Sequence, residues 1–214
     1  MEMKKNRIVI LADGTFPKSE YPLSLLHNAD IIICCDGAIL KLLKYTSLNA
    51  DYIVGDMDTL SREYQIKYKE IIHEVSEQET NDQTKAFRFA LTLNPSEIFI
   101  LGATGDREDH TLGNLSWLVN YTEQFSNTSI ITDHGVFTAL SDSCSISCSP
   151  KQQVSIFAFD PTLKIKSAGL KYPTDNVTFD LWWKATLNET CSTSFSLEFS
   201  HPAKVLLFLC TKAR

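Results

Sequence analysis

Gly55-Asp56-Met57-Asp58 places two carboxylates two residues apart, directly after the strand-like segment Asp51 to Val54. On an extended backbone, side chains at positions i and i+2 point the same way and lie about 6.6 Å apart along the strand. Two such carboxylates can close around one hard cation. For this pair alone, a solvated acidic turn is the competing interpretation.

Two further aspartates favour the cation site. Asp36 ends the very hydrophobic segment Asp30 to Cys35, which is a poor location for an uncompensated charge. Asp82 lies in the first turn of a predicted helix, where complementarity to the helix dipole is the alternative explanation. Mg²⁺ binds a few carboxylates together with water and substrate phosphates. We therefore predict a magnesium site formed by Asp36, Asp56, Asp58 and Asp82, with Gln78 and Asn81 as neutral oxygen ligands or phosphate contacts.

Cationic side chains and a glycine-rich segment add phosphate-binding candidates. Lys85 follows Asp82 by three residues on the same helix face, as a phosphate-binding lysine or as a surface ion pair. The segment 102–110 (GATGDREDH) follows a strand and opens a helix, where backbone N–H groups attract anions. It is neither a Walker A loop nor a GxGxxG fingerprint. Its candidate nucleotide contacts are Gly102, Thr104, Arg107 and His110; for His110, a capping or core role is the alternative.

Alternating strand-like and helix-like segments must position these side chains. Apolar runs of strand length occur at 7–12, 30–35, 51–54, 97–101 and 129–132. Helical patterns occur at 38–45, from an N-cap at Thr80 to about 93, and from about 109 to 121. This alternation predicts an α/β domain with a parallel sheet covered on both faces. Ligands bind such sheets beyond the carboxyl ends of the strands, where the acidic residues and the 102–110 segment lie.

From about residue 141 the pattern changes to consecutive strands without helices. Candidate strands are 154–159, 163–166, 177–183, 195–199 and 205–210, which predict an antiparallel β-sandwich. We therefore expect two domains, 1–142 and 143–214. Trp182 and Trp183 are adjacent on a predicted strand, so one is expected in the core, and the other could form an aromatic wall for a flat heterocycle. Asn188 is expected in a polar turn after that strand.

Composition excludes several classes of function. The formal net charge of −6 disfavours a broad nucleic-acid interface. No apolar run approaches the roughly 18 to 20 residues of a membrane-spanning helix. The charged segment Met1 to Arg7 leads directly into a strand-like segment, so we expect no signal peptide and a cytoplasmic location.

The ordered set of motifs resembles the thiamine pyrophosphokinase family. The resemblance rests on the segments 35–38 (CDGA), 55–59 (GDMDT), 80–86 (TNDQTKA), the glycine-rich segment through His110, 169–173 (GLKYP) and 187–189 (LNE). It implies an N-terminal α/β domain binding Mg-ATP. It also implies a C-terminal β-sandwich that contributes to thiamine binding and to a homodimer with active sites between subunits.

The family likeness also assigns residues. It places Asp36, Asp56, Asp58 and Asp82 in a magnesium and phosphate cluster, and matches Gln78, Lys85, Arg107 and Asp109 to other polar site positions. Two positions depart from the family pattern. Asp106 replaces the second glycine of a glycine-glycine-arginine turn, and Leu187 replaces a serine before Asn188.

The resemblance implies a thiamine diphosphokinase that transfers the diphosphate of ATP to the thiamine hydroxyl and releases AMP. The expected catalytic residues are Asp58, Asp82, Lys85 and Arg107, with Asn188 as a substrate contact. One alternative is a nucleotide-sugar transferase that uses Asp56 and Asp58 as a metal-binding pair. Another is a non-catalytic thiamine or nucleotide sensor.

Overall fold

The computed structural model describes residues 6–211. The charged residues 1–5, on which the expectation of no signal peptide depends, lie outside the described residues. The chain divides into two compact units, 6–117 with 125–133, and 118–124 with 134–211. This division falls between Asp133 and His134, ahead of the boundary expected after residue 142. Among residues 6–211, none of the helices combines the length and the hydropathy that a membrane-spanning helix requires.

The first unit contains a parallel sheet. Its strands are ordered β6-β5-β1-β2-β3-β4, and each neighbouring pair is parallel. The central strands are apolar and buried, as expected for a sheet covered on both faces. The strands are β1 (Arg7–Leu11), β2 (Ile31–Cys35), β3 (Tyr52–Gly55), β4 (Ile72–Glu74), β5 (Glu97–Leu101) and β6 (Thr128–Ile131).

Helices alternate with these strands and present apolar stripes to the sheet. The helix α2 buries Ala38, Ile39 and Leu42, which share one helix face. The helix α4 buries Ala86, Phe87 and Ala90 in the same way. The helices are α1 (Glu20–His27), α2 (Ala38–Tyr45), α3 (Arg62–Lys67), α4 (Asp82–Thr92) and α5 (Glu108–Gln124), of which α5 continues into the second unit.

The start of α4 corrects the predicted N-cap. The N-cap is Asn81, whose side-chain oxygen accepts a hydrogen bond from the Thr84 backbone N–H at 3.0 Å. Thr80 instead donates its hydroxyl hydrogen to Glu77. Asparagine and threonine are both good N-caps, and here the shift by one residue places Asp82 at the first helical position.

The second unit consists of two antiparallel sheets around one core. The strands β11-β9-β13-β7 form one sheet and β10-β12-β8 form the other. Buried side chains from both sheets, including Ile156, Leu207, Phe195 and Leu197, form a single cluster, which confirms the sandwich. The strands are β7 (Gly135–Leu140), β8 (Cys144–Ser147), β9 (Gln153–Ala158), β10 (Ile165–Ala168), β11 (Ala185–Glu189), β12 (Ser194–Phe199) and β13 (Val205–Cys210).

The expected strand at 177–183 is wrong. Trp182 and Trp183 lie in a short 3₁₀ turn, Trp182–Lys184, and their exposed fractions are 53% and 68%. The prediction that one tryptophan is buried in the core therefore fails. Phe179, only 4% exposed, packs into the core cluster from this segment instead. Asn188 lies within β11 rather than in a turn after a strand.

Burial of Phe195 predicts a large loss of stability on truncation. Phe195→Ala removes a side chain that is 2% exposed, which costs about 3–5 kcal/mol of unfolding free energy because a cavity remains. Urea unfolding measures this cost. The control is Phe159→Ala, because Phe159 is 38% exposed in the same unit. Equal urea midpoints for the two variants would contradict the described core.

Candidate active site

A cavity of about 560 Å³ lies in the first unit, beyond the carboxyl ends of its central strands. Its walls come from the segments that follow β1, β2, β3, β4 and β5 and from the N-terminal halves of α4 and α5. Most of the polar residues predicted from the sequence line it, namely Asp36, Asp56, Gln78, Asn81, Asp82, Lys85, Arg107, Asp109 and His110. The prediction that distant segments meet at this edge of the sheet is therefore confirmed for these residues.

Three carboxylates converge at the bottom of this cavity. One oxygen from each of Asp36, Asp56 and Asp82 lies within 4.8 Å of the other two. Asp36 is 2% exposed, and its Oδ2 accepts a hydrogen bond from the Thr59 backbone N–H at 3.0 Å. Its Oδ1 is buried and has no hydrogen-bond partner among residues 6–211. A buried acceptor without a donor, on a side chain that converges with two other carboxylates, fits the ligand set of a hard divalent cation.

Asp58 lies outside this set of three, which corrects the predicted geometry of the 55–58 segment. Met57 has a φ of 64°, so the segment turns and the side chains of Asp56 and Asp58 do not share one face of an extended strand. Asp58 is exposed and accepts a hydrogen bond from the Thr59 hydroxyl at 3.0 Å. It remains a neighbour of Asp36: burial, together with the adjacent Asp82 and Asp58 carboxylates, raises the pKa of Asp36.

Lys85 is the buried counter-charge of the cluster. It is 3% exposed, and its Nζ lies 3.0 Å from Asp82 Oδ1 and 3.4 Å from Asp56 Oδ2. Burial opposes its charge, but the hydrogen bond to Asp82 and the nearby carboxylates outweigh that effect and raise the pKa of Lys85. Burial raises the pKa of Asp82 despite this ion pair. One ammonium therefore faces three carboxylates, which leaves the cluster short of positive charge.

Amide side chains surround the cluster. Gln78 donates a hydrogen bond from Nε2 to Asp56 Oδ2 at 2.9 Å, which is the largest cause of the lowered pKa of Asp56. Asn81 uses its oxygen as the α4 cap and donates from Nδ2 to Asn114 Oδ1 at 2.8 Å. Asn114 in turn donates to the Ala103 carbonyl at 2.8 Å. The oxygen of Asn81 is therefore committed to the helix cap and not placed as a metal ligand.

Some residues of the glycine-rich segment hydrogen-bond to neighbouring backbone, and others line the cavity. Gly102 adopts a φ of 65°, and its carbonyl accepts a hydrogen bond from the Gly14 N–H at 2.7 Å. The Thr104 carbonyl accepts one from the Thr15 N–H at 2.9 Å. Gly102 and Thr104, which were predicted as nucleotide contacts, instead hydrogen-bond to the backbone of the segment after β1. The cavity is lined by Ala103, Gly105 and Asp106.

Arg107 and Asp109 form an exposed ion pair at the rim of the cavity. The guanidinium donates from Nε to Asp109 Oδ1 at 3.1 Å and from Nη2 to Asp109 Oδ2 at 2.6 Å. The pair lowers the pKa of Asp109 to about 2, chiefly through the hydrogen bond from Arg107. The other Asp109 contact is the His110 backbone N–H at 2.9 Å. Asp109 thus orients the cation that sequence analysis assigned to phosphate binding.

Sequence reasoning missed several residues of the cavity wall. Asp13 and Gly14 follow β1 just as Asp36 and Gly37 follow β2, and this parallel was the available signal. Thr59 and Cys35 also line the cavity; both belong to the motifs that carry the family resemblance, but neither was predicted as a site residue.

Comparison with known proteins identifies the family of this chain. Residues 23–132 match the family described as "Thiamin pyrophosphokinase, catalytic domain". Residues 135–208 match "Thiamin pyrophosphokinase, substrate-binding domain". The chain belongs to the thiamin pyrophosphokinase family.

Individual relatives agree with this family. Thiamine pyrophosphokinase 1 of Oryza sativa subsp. japonica is 39% identical over 112 residues, which are 47% of this chain and 38% of the rice protein. Thiamin pyrophosphokinase 1 of Caenorhabditis elegans is 23% identical over 170 residues, 73% of this chain and 70% of that protein. The structure of a thiamin pyrophosphokinase family protein from Enterococcus faecalis superposes with a TM-score of 0.78 at 23% identity, covering 96% of this chain and all of that chain, and so shares the fold.

The second unit, matched by the family's substrate-binding domain, holds the remaining predicted residue. Asn188 is 4% exposed, and its amide oxygen accepts hydrogen bonds from the backbone N–H groups of Tyr172 and Glu189 at 3.1 and 2.8 Å. Its Nδ2 donates to the Tyr172 carbonyl at 2.7 Å. Asn188 therefore fixes the 171–173 backbone, and its predicted substrate contact stays a prediction.

The three-carboxylate cluster predicts a defined loss of cation binding. Asp82→Asn should weaken Mg²⁺ affinity at least about tenfold, because a charged oxygen ligand becomes a neutral amide. The measurement is the Mg²⁺ dependence of the melting temperature, which reports the dissociation constant by mass action. Glu79→Gln, a nearby exposed acidic residue outside the cavity wall, is the matched control. Identical Mg²⁺ responses of the two variants would contradict the site.

Proposed function

We propose that this chain is a thiamine diphosphokinase that transfers the diphosphate of ATP to the hydroxyl of thiamine and releases AMP. The observation that carries the proposal is the cavity in which Asp36, Asp56 and Asp82 converge around a single buried cation, Lys85. A deficit of positive charge beside phosphate-binding groups suits a substrate that arrives as a complex of a polyphosphate with a divalent cation.

Mg²⁺ is the proposed ion, held by Asp36, Asp56 and Asp82. The unpartnered Oδ1 of Asp36 and the convergence of three carboxylate oxygens support this assignment. When bound, the ion would counter the negative charge on the phosphate oxygens of ATP.

The residues of the chain have distinct proposed roles in phosphoryl transfer. Lys85 stabilises the negative charge that develops on the transferred group, since its ammonium is held rigidly beside the cluster. Arg107 binds phosphate from the rim, and Asp109 orients its guanidinium. Gln78 and His110 line the same cavity and are proposed contacts to ATP. Asp58 and Asp82 are the carboxylates proposed to orient the attacking hydroxyl.

In the transfer itself, the thiamine hydroxyl oxygen attacks the β-phosphorus in line. A new P–O bond forms to thiamine, the hydroxyl proton is released to solvent, and the bond from the β-phosphorus to the oxygen of the departing AMP breaks. The protein contributes position and charge rather than a covalent intermediate. The nucleotide-sugar transferase alternative loses its structural argument, because Asp56 and Asp58 do not act as one extended pair.

The family's substrate-binding domain motivates a proposal for the second unit. Trp182, Trp183 and Leu187 are exposed on this unit, at 53%, 68% and 67%. We assign this apolar surface to contacts with the thiamine heterocycle and with a second subunit of a homodimer. Cytoplasmic location likewise remains a proposal, based on the sequence alone.

Turnover tests the proposed function. Incubated with ATP, Mg²⁺ and thiamine, the protein should form AMP and thiamine diphosphate in equal amounts, measured by chromatography. Asp56→Asn should lower kcat/KM about 100-fold or more, because the cluster loses a charged oxygen. Asp175→Asn, an exposed aspartate of the second unit, is the control. Binding of both substrates without AMP formation would contradict the proposal and favour the sensor alternative.

A further inference from the structure

Lys41 connects three chain segments behind the cavity wall. It lies on α2, and its Nζ donates hydrogen bonds to the backbone carbonyls of Asp13 at 2.6 Å and Gly14 at 2.8 Å. The same ammonium lies 2.9 Å from Asp106 Oδ2 and 3.1 Å from Asp13 Oδ1. An ammonium has three hydrogens, so these four oxygens occupy its whole donor capacity.

The partner of Lys41 holds an unusual backbone conformation. Asp106 has a φ of 61°, a left-handed conformation that costs a non-glycine residue about 1–2 kcal/mol. Its carboxylate accepts hydrogen bonds from Lys41 and, at 3.2 Å, from the Thr15 hydroxyl. The hydrogen bond from Lys41 is the largest cause of the lowered pKa of Asp106. Two contacts from facing segments thus compensate for the cost of the turn.

The turn is also pressed closely against the segment after β1. A Cβ at Gly105, which has a φ of 79°, would lie 2.1 Å from the Thr15 hydroxyl oxygen. Gly105, Asp106 and Arg107 all line the cavity, whereas Lys41 does not. Lys41 therefore acts on the wall of the cavity from behind rather than on its contents.

We propose that Lys41 is a positioning residue for nucleotide binding. Its ammonium holds the 105–107 turn against the segment after β1, so that the backbone of the turn and the Arg107 side chain are preorganised for the phosphates of ATP. The inference rests on the proposed function for the identity of the nucleotide, and it adds a residue with no direct contact to the substrate.

A double-mutant cycle of Lys41→Met and Asp106→Asn tests this proposal. The measurement is ATP affinity by titration calorimetry with Mg²⁺ and without thiamine, followed by KM and kcat. Lys41→Met should weaken ATP binding and raise KM about tenfold while kcat changes little. Without Lys41 the 105–107 turn becomes ordered only when ATP binds, and the free energy of that ordering reduces the affinity. Asp106→Asn, which keeps a residue tolerant of positive φ, should weaken binding about threefold. The double variant should bind no more weakly than Lys41→Met, because both changes remove one contact.

Two further variants serve as controls. Lys41→Arg keeps the charge and should restore ATP affinity to within about threefold of wild type. Lys44→Met removes an exposed lysine from the last turn of the same helix and should leave affinity unchanged. If Lys41→Met does not fold, the ATP affinity of Asp106→Asn alone tests the proposal. This variant should fold, because the Asp106 side chain is exposed and asparagine is a conservative replacement.

Opposite outcomes would overturn the proposal. If Lys41 contacted phosphate directly, Asp106→Asn would free the ammonium and tighten ATP binding. Additive losses in the double variant, or an equal loss in Lys44→Met, would also exclude this positioning role. ATP binding is measured without turnover. A wild-type protein that binds ATP but forms no AMP would therefore disprove the diphosphokinase function and leave the Lys41 test interpretable.

Discussion

The site depends on the electrostatic cost of confining three carboxylates at one edge of a parallel sheet. Asp36 follows β2, Asp56 follows β3 and Asp82 begins α4, and one oxygen of each lies within 4.8 Å of the other two. Like charges at this separation repel strongly where solvent is excluded, and Lys85 provides only one compensating charge. The repulsion among the three carboxylates is relieved when a divalent cation enters the cavity with the substrate. The same deficit would discriminate against free polyphosphate anions.

The rest of the first unit maintains this confinement. The central strands are buried on both faces and cannot move apart without exposing their apolar side chains. The Asn81 cap fixes the start of α4 and therefore the positions of both Asp82 and Lys85. On the opposite wall, backbone hydrogen bonds from Gly14 and Thr15 hold the glycine-rich segment. The charged groups of the cluster therefore lie on or next to rigid strands and helices. The loops are held to these elements by hydrogen bonds that leave the cavity free for ligand.

Much of this arrangement was predictable from the sequence, and the failures have specific causes. The strands β1, β2, β3 and β5 are apolar runs followed by glycine or aspartate, so the shared edge followed from topology. The short edge strand β4 has three residues and no such run. Spacing could not reveal the positive φ of Met57, which removes Asp58 from the cluster. The predicted strand at 177–183 suggested one buried tryptophan, but that segment is not a strand, and Phe179 occupies the core instead. The Lys41–Asp106 contact joins residues 65 positions apart, and no local pattern predicts it.

We propose that side chains from separate segments hold one divalent ion next to the triphosphate of ATP. Anomalous diffraction from crystals grown with Mn²⁺ and a non-hydrolysable ATP analogue tests it most directly, because manganese accepts the same oxygen ligands and can be located without bias. We expect an anomalous peak bounded by the carboxylates of Asp36, Asp56 and Asp82 and by phosphate oxygens. A bound analogue whose metal ion lies away from these three residues would contradict it.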